Sequence, residues 1–218
     1  TFNEMYAPRE ESKIVAMNFN TTSQYEYDKS KVIFEIPQPE EKKYIEAAQF
    51  LNNIPRVALV NIQHEFGIFG GMYGDYLLSF LKEIKKPVVI TFHTVLPTPN
   101  PDLKKVVISL DKLVKGIFVM TETSKKILTS EYGIDEEKIT IVPHGIHPMP
   151  YSDGEKLKKK LGFSKKKVIS TFGLLGRGKG IEYGIQAMTD VIIRFPDTVY
   201  LIIGATHPVI LQKEGETY

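Results

Sequence analysis

The chain has 218 residues, of which 42% are hydrophobic, so it is long enough for one large globular domain or two modest ones. Twenty-eight lysines and arginines stand against 26 acidic residues, and the dispersed lysine clusters indicate a solvated surface and no nucleic-acid partner. The absence of cysteine excludes disulfides, thiolate catalysis and cysteine-bound zinc, and no apolar run reaches the roughly 20 residues of a membrane helix.

Short apolar runs rich in β-branched residues recur along the chain and predict eight strands, most of them buried on both faces. The runs cover residues 13–19, 31–36, 56–62, 87–92, 116–121, 138–142, 167–172 and 198–204. Amphipathic patterns between them predict helices over residues 40–53, 75–85, 102–115, 123–132 and 180–195. The alternation of strand and helix predicts an α/β fold with parallel sheets and right-handed crossovers.

The segment PHGIHPMPYSDG, residues 143–154, interrupts this alternation with three prolines and two glycines and predicts a linker. We expect an N-terminal Rossmann-like domain over residues 1–147, a linker and short basic helix over 148–166, and a second domain over 167–218. Two predicted strands are too few for the second domain to bury both faces of a sheet. The chain also lacks an initiator methionine, so we expect it to be a fragment of a longer two-domain protein.

All five histidines follow predicted strands, at the sheet edge where loops and helix N-termini of parallel α/β folds bind ligands. They are His64, His93, His144, His147 and His207. Each can simply hydrogen-bond its own loop, and none has the helical i, i+4 spacing of a zinc pair. A histidine that titrates near neutral pH can instead hydrogen-bond the hydroxyls of a polyhydroxylated ligand. His93 is our first candidate and His64 the second.

The loop after residues 56–62 continues as EFGIFGGMYGD and carries further candidates for substrate binding. Gly70 and Gly71 have two interpretations: a tight turn that needs no Cβ, or a close approach of backbone N–H groups to a ligand. Glu65 follows the same strand as His64, and Thr94 follows His93. We include all four residues in the predicted substrate-binding edge.

The stretch GLLGRGKGIEYG, residues 173–184, matches the spacing of a Walker A loop but has Gly180 where the magnesium-binding hydroxyl belongs. No acidic residue closes a later strand in the manner of a Walker B aspartate, which argues against a nucleoside triphosphatase. The loop follows a predicted strand and opens a helix, so its N–H groups with Arg177 and Lys179 can hold a diphosphate. The alternative is a glycine turn with two solvated cations.

Three motifs in order resemble retaining glycosyltransferases of family four. Residues 117–147 contain a serine-started helix, a YG pair and a strand exit, PHGIH, similar to the family's P-N-G-V-D. STFGLLGRGKGIEYGIQAM resembles the family's G-R-L-x-x-x-K-G donor loop and helix, and TVYLIIGA resembles its next strand. The likeness covers nearly the whole chain and is strongest over residues 56–205.

The resemblance implies the GT-B fold, in which two Rossmann-like domains face across a cleft, with the acceptor mainly on the first and the nucleotide sugar on the second. It implies hexose transfer with retention of configuration, without a metal or other cofactor, from a nucleotide sugar to a carbohydrate or lipid-linked acceptor. His93 matches the histidine near the transferred sugar, and Gly173 and Lys179 match the donor loop. Gly180, Gly204 and His207 join Arg177 in the predicted diphosphate site. We expect a cytoplasmic enzyme, compatible with peripheral membrane contact.

The chain departs from the family pattern in ways that keep other functions open. The family's loop arginine aligns with Leu174, so Arg177 has to replace it, and its P-N-G asparagine is His144. The family's pair of glutamates is expected beyond Tyr218. A non-catalytic sugar- or nucleotide-binding module, a glycan phosphorylase and a sugar-nucleotide epimerase of the same fold remain alternatives.

Overall fold

The computed structural model describes residues 11–21, 25–206, 210–211 and 215. The chain divides into two units, Thr1–Ile146 and His147–Tyr218. Residues 142–153, which span this division, form neither helix nor strand. Assignment of the first unit to the acceptor and the second to the donor stays a prediction.

The first unit is built on parallel strands, as the sequence predicts. They are β1 (Ile14–Asn18), β2 (Val32–Pro37), β3 (Val60–His64), β4 (Val88–Phe92), β5 (Gly116–Val119) and β6 (Ile139–Ile141). Strands β1 and β2 form one sheet, and β3 to β6 form a second sheet in sequence order. Its register places four buried isoleucines side by side, at positions 62, 90, 117 and 139.

Four helices connect the strands of the first unit. They are α1 (Glu41–Asn52), α2 (Tyr76–Glu83), α3 (Pro101–Leu113) and α4 (Glu122–Tyr132), with 3-10 turns at Met72–Gly74 and Glu136–Lys138. Helix α3 begins where Asn100 Oδ1 accepts from the N–H of Leu103 at 2.9 Å, directly before Pro101. Its buried residues are Leu103, Val106, Val107 and Leu110, each stabilising the fold by roughly 1.5 to 3 kcal/mol.

The expectation that most strands are buried on both faces is wrong for β3 to β6. Alternate residues along β3 are buried and exposed, and β4 and β5 alternate between buried and half-buried positions. Because β3 to β6 follow one another in a single direction, right-handed crossovers place α2, α3 and α4 on the same face. The other face of the sheet carries the polar side chains described below.

Strand β3 runs from Val60 to His64 and not over residues 56–62. Its start is set by its partner, because the N–H of Val60 donates to the carbonyl of Pro87, directly before β4. His64 is therefore the last residue of the strand, whereas the predicted strand ended two residues earlier, at Ile62. The consequence is that its side chain falls on the buried face.

A cavity of about 1120 Å³ separates β1 from β3. Consecutive residues of both segments line it, 11–17 and 56–63, so it lies against the edges of the two strands. Within the part of the chain that the structure describes, β1 pairs with β2 and β3 with β4, and the two edges that face the cavity have no strand partner.

The second unit contains β7 (Lys167–Phe172) and β8 (Thr198–Ile203), which pair in parallel over their full length. Helix α5 (Gly154–Lys160) precedes them, and a 3-10 turn, Arg177–Lys179, leads into α6 (Ile181–Arg194). The α/β class with parallel sheets is thus confirmed in both units.

Candidate functional site

His93 lies at the carboxyl edge of the first unit's sheet, directly after β4, and its imidazole is exposed. Its backbone N–H donates to the carbonyl of His64 at 2.9 Å, which extends the pairing of β3 and β4 by one residue. Its ring nitrogen Nε2 lies 2.8 Å from Oε1 of Gln63 on the neighbouring strand. The predicted catalytic histidine is therefore held on both its backbone and its ring.

A row of polar side chains continues from His93 along the exposed face. Thr91 Oγ1 lies 3.3 Å from Gln63 Nε2 and 3.2 Å from Asn61 Oδ1. Asn61, Gln63 and Thr91 are not among the site residues predicted from the sequence. The available signal was the two-residue period of a strand, which places Asn61 and Gln63 on one face of β3 and Thr91 and His93 on the same face of β4.

Glu65 and Thr94, both predicted to contact a substrate, bind each other. Thr94 Oγ1 donates to Glu65 Oε2 at 2.8 Å, and the other carboxylate oxygen accepts from the N–H of Phe66 at 3.1 Å. Both side chains are half-buried. The hydrogen bond between Thr94 and Glu65 connects the loop after β4 to the loop after β3, next to His93.

His64, the second predicted histidine, is fully buried. The rings of Phe66, Phe69 and Phe92 surround it at centroid distances of 5.0, 5.6 and 4.9 Å. Neither ring nitrogen has a hydrogen-bond partner among the described residues. Burial in this apolar setting, with a smaller contribution from the charge of His93, lowers the pKa of His64 to about 4. The imidazole belongs to the core in this structure, and a role in substrate binding stays a prediction.

A Cβ at Gly70 or Gly71 would collide with neighbouring atoms, as the tight-turn interpretation of these glycines requires. The N–H of Gly70 donates to the Tyr44 hydroxyl at 2.8 Å, and a Cβ on Gly70 would collide with the carbonyl oxygen of Gln38. Gly71 has φ of +80°, and a Cβ there would lie 2.7 Å from Cδ1 of Tyr76. The N–H of Gly70 is thus already used within the protein.

His144 and His147, which follow β6, are both exposed. The ring of His144 lies 6.4 Å from that of His93, centroid to centroid, and its Nδ1 lies 3.0 Å from the carbonyl oxygen of Gly145. His144 and His93 therefore share one edge of the first unit. His147 belongs to the second unit.

The predicted donor loop of the second unit follows β7 and opens α6, the context that a diphosphate cradle requires. Gly180 is the N-cap of α6 with φ of +62°, and no side chain caps the helix there. Lys179 is exposed directly before it. The first N–H groups of a helix have no intrahelical acceptor, so they and a lysine at this end favour an anion.

The other predicted donor residues border the same loop. Gly173, with φ of +128°, and Gly204 pack so closely that a Cβ on Gly204 would collide with the carbonyl oxygen of Gly173. Arg177 begins the 3-10 turn, but its side chain lies outside the described part of the chain, as does the whole of His207.

Two classes of feature do not occur in the described part of the chain. No three histidine, aspartate or glutamate side chains there converge on a point that suits a metal ion. No described helix combines the length and the apolar character needed to cross a membrane.

Comparison with known proteins provides the family of the chain. Residues 11–149 match the model of Glycosyltransferase Family 4. The 2-deoxystreptamine glucosyltransferase of Streptomyces kanamyceticus is 27% identical over 95 residues, which are 41% of this chain and 24% of that protein.

Solved glycosyltransferase structures resemble the chain in fold. Anabaena HepE, solved in complex with UDP and glucose, superposes with a TM-score of 0.59 at 14% identity, covering 78% of this chain and 45% of HepE. A glycosyltransferase from Rickettsia africae superposes with a TM-score of 0.52 at 17% identity, covering 84% of this chain and 57% of that protein. The chain therefore spans about a quarter to just over half the length of these relatives.

Proposed function

Because the chain belongs to glycosyltransferase family 4, we propose that it is part of an enzyme that transfers a hexose from a nucleotide sugar to an acceptor with retention of configuration. The observation that carries the proposal is the family match over residues 11–149. The second unit adds a strand, glycine loop and helix with Lys179 at the helix N-terminus. UDP and glucose, both bound in the HepE structure, are the chemical class of donor that we propose.

The proposed reaction breaks the bond between the sugar C1 and the diphosphate oxygen. The acceptor hydroxyl forms the new bond on the same face of the sugar and loses its proton, and the nucleoside diphosphate departs with the bonding electrons. Charge builds on the diphosphate oxygens in the transition state, so cations and oriented N–H groups there accelerate the reaction. We assign this role to Lys179, Arg177 and the N-terminus of α6, and we propose that no metal ion takes part.

We propose that His93 contacts the transferred sugar and that the edge around it receives the acceptor. An exposed imidazole can donate to or accept from a sugar hydroxyl, and its neighbours at this edge are polar. Residues 64, 65, 70, 71 and 94 shape this edge. The acceptor class is a carbohydrate or a lipid-linked sugar, and the location we propose is the cytoplasm, with peripheral membrane contact if the acceptor is lipid-linked.

The diphosphate cradle is tested by calorimetric titration of the 218-residue chain, and of any longer polypeptide that contains it, with UDP, GDP and ADP. We expect one nucleotide to bind and the Lys179→Ala substitution to weaken it by about tenfold or more, because a charge-assisted hydrogen bond contributes roughly 1.5 to 3 kcal/mol. Lys156→Ala is the matched control, since Lys156 is an exposed lysine of the same unit, on α5. Equal affinities of the two variants, or no binding to the longer polypeptide, would remove Lys179 from the proposed site.

A further inference from the structure

We propose that Gln63 is a positioning residue that holds the neutral imidazole of His93 in the tautomer with its hydrogen on Nε2. The Nδ1 lone pair of His93 is then the acceptor for a hydroxyl hydrogen of the ligand. The assignment of a sugar hydroxyl to that position rests on the proposed function. The tautomer itself follows from the hydrogen-bond row of β3 and β4 alone.

The directions of the hydrogen bonds in the row follow from Asn61, whose amide oxygen faces the Thr91 hydroxyl. The Thr91 hydroxyl has a single hydrogen, and it donates to Asn61 Oδ1 at 3.2 Å. Thr91 Oγ1 therefore accepts from Gln63, so the amide nitrogen Nε2 of Gln63 faces Thr91 at 3.3 Å. The amide oxygen of Gln63 is then turned to the other side, where it lies 2.8 Å from His93 Nε2.

A carbonyl oxygen only accepts hydrogen bonds, so His93 Nε2 must carry the hydrogen in this contact. A neutral imidazole has one N–H, and Nδ1 is consequently left with its lone pair. Among the described residues no group hydrogen-bonds Nδ1, and the imidazole is exposed. Hydroxyl groups supply the hydrogen that this lone pair accepts, which is the chemistry of a polyhydroxylated ligand.

The carboxylate of Glu65, two residues after Gln63, does not take the place of Gln63 at the His93 ring. Both carboxylate oxygens of Glu65 have partners, one the Thr94 hydroxyl and the other the N–H of Phe66. Gln63 itself is exposed, on the face of β3 opposite the core. Substitution of its side chain therefore changes the hydrogen bond to His93 without opening a cavity in the core.

The test is nitrogen NMR of the chain with 15N-labelled histidine at about pH 9, well above the ordinary histidine pKa of about 6.5. The His93 signals are assigned from their loss in His93→Gln. In the wild type we expect a protonated Nε2 and an unprotonated Nδ1. Gln63→Glu keeps an acceptor beside Nε2 and should preserve this pattern, whereas Gln63→Lys presents a donor and should reverse it. Amide spectra of both variants establish that they remain folded.

A wild-type His93 with its hydrogen mainly on Nδ1 would overturn the proposal, and so would a Gln63→Lys variant with the wild-type tautomer. Transfer activity is a separate readout. If a longer polypeptide is active, we expect Gln63→Lys to lower its kcat by about tenfold, the value of one hydrogen bond, and Gln63→Glu to lower it less. The predicted tautomers in a protein without transfer activity would support the role of Gln63 and contradict the proposed function.

Discussion

At the level of single residues, His64 and His93 lie at the ends of two adjacent strands, but the first side chain is buried and the second is exposed. His64 ends β3 on its buried face, among aromatic rings, whereas His93 follows β4 on the exposed face. The buried ring is kept neutral, since burial lowers its pKa to about 4, and the exposed ring is held by Gln63. Successive positions of a strand face opposite sides of the sheet, so one histidine lies in the core and the other on the face where a ligand can bind.

The buried histidine predicts how stability depends on pH. Well above pH 6.5, the ordinary pKa of histidine, the imidazole is neutral in both the folded and the unfolded state, so it does not make stability depend on pH. As the pH falls toward 4 the unfolded chain binds a proton that the folded protein excludes. We expect this to lower the free energy of unfolding by about 2 to 3 kcal/mol between pH 7 and pH 4.5.

Urea unfolding followed by circular dichroism at the two pH values measures this effect. His64→Leu removes the titrating group, so its loss of stability on acidification should be smaller than that of the wild type by about the same 2 to 3 kcal/mol. His147→Gln, which removes an exposed histidine of the second unit and leaves His93 and every carboxylate in place, should behave like the wild type. A His64→Leu variant that loses as much stability as the wild type would show that His64 is protonated in the folded protein.

The candidate edge could be predicted from the sequence in its position but not in its contacts. The end of β4 and the motif ITFHT were sufficient to nominate His93. They did not show that Glu65 and Thr94 bind each other, or that Gly70 donates to Tyr44, because these partners lie 26 to 29 residues apart along the chain. The burial of His64 depended on a shift of two residues in the end of β3, which its pairing with β4 determines.

At the scale of elements, local signals fix the ends of the helices. Thr121 is the N-cap of helix α4, and its hydroxyl accepts from the N–H of Ser124 at 3.0 Å. The helix is followed by Gly133 in the left-handed conformation with φ of +70°. The N–H of Ile134 donates to the carbonyl of Leu128 at 3.1 Å, and Ile134 is buried. The N–H of Gly133 donates to the carbonyl of Thr129 at 3.2 Å, which is the αL type of helix end and favours glycine at the residue after the helix.

The left-handed conformation of Gly133 predicts how its substitution by alanine changes the free energy of unfolding. Nothing lies within 4 Å of a Cβ built on Gly133, so Gly133→Ala changes backbone strain and not packing. We expect it to lower the free energy of unfolding by about 1 kcal/mol, the cost of a side chain at positive φ. Gly133→Asn should lose less, because asparagine tolerates this conformation. Equal stability of the alanine variant and the wild type, measured by urea unfolding, would show that the helix end relaxes without cost.

The elements themselves were the most predictable part of the fold. The range predicted for β7 is the range observed, and α4 differs from its prediction by one residue at its start. Long amphipathic patterns and β-branched runs are local signals, so a single sequence contains them. Burial of a strand on one face or two depends on where the crossover helices lie, and for that reason the prediction for β3 to β6 was wrong.

At the scale of the whole molecule, the chain carries two α/β units of a glycosyltransferase family 4 protein. Each unit has its candidate residues at the carboxyl ends of parallel strands: His93 after β4 in the first, and the loop from Gly173 to Gly180 after β7 in the second. This is where loops and helix N-termini meet in such folds. The proposed enzyme divides its chemistry accordingly, with the sugar and acceptor at one edge and the diphosphate at the other.

The activity we propose is transfer of a hexose from a nucleotide sugar. The most direct measurement incubates the longest available polypeptide that contains this chain with UDP-, GDP- and ADP-linked glucose and mannose, with carbohydrate and lipid-linked acceptors, in the presence of a metal chelator. We predict release of nucleoside diphosphate from one donor, and a product whose NMR coupling constant shows the anomeric configuration of the donor. Binding without release of nucleoside diphosphate from any donor would contradict the proposed activity and identify a non-catalytic module. An inverted product would contradict the proposed stereochemistry.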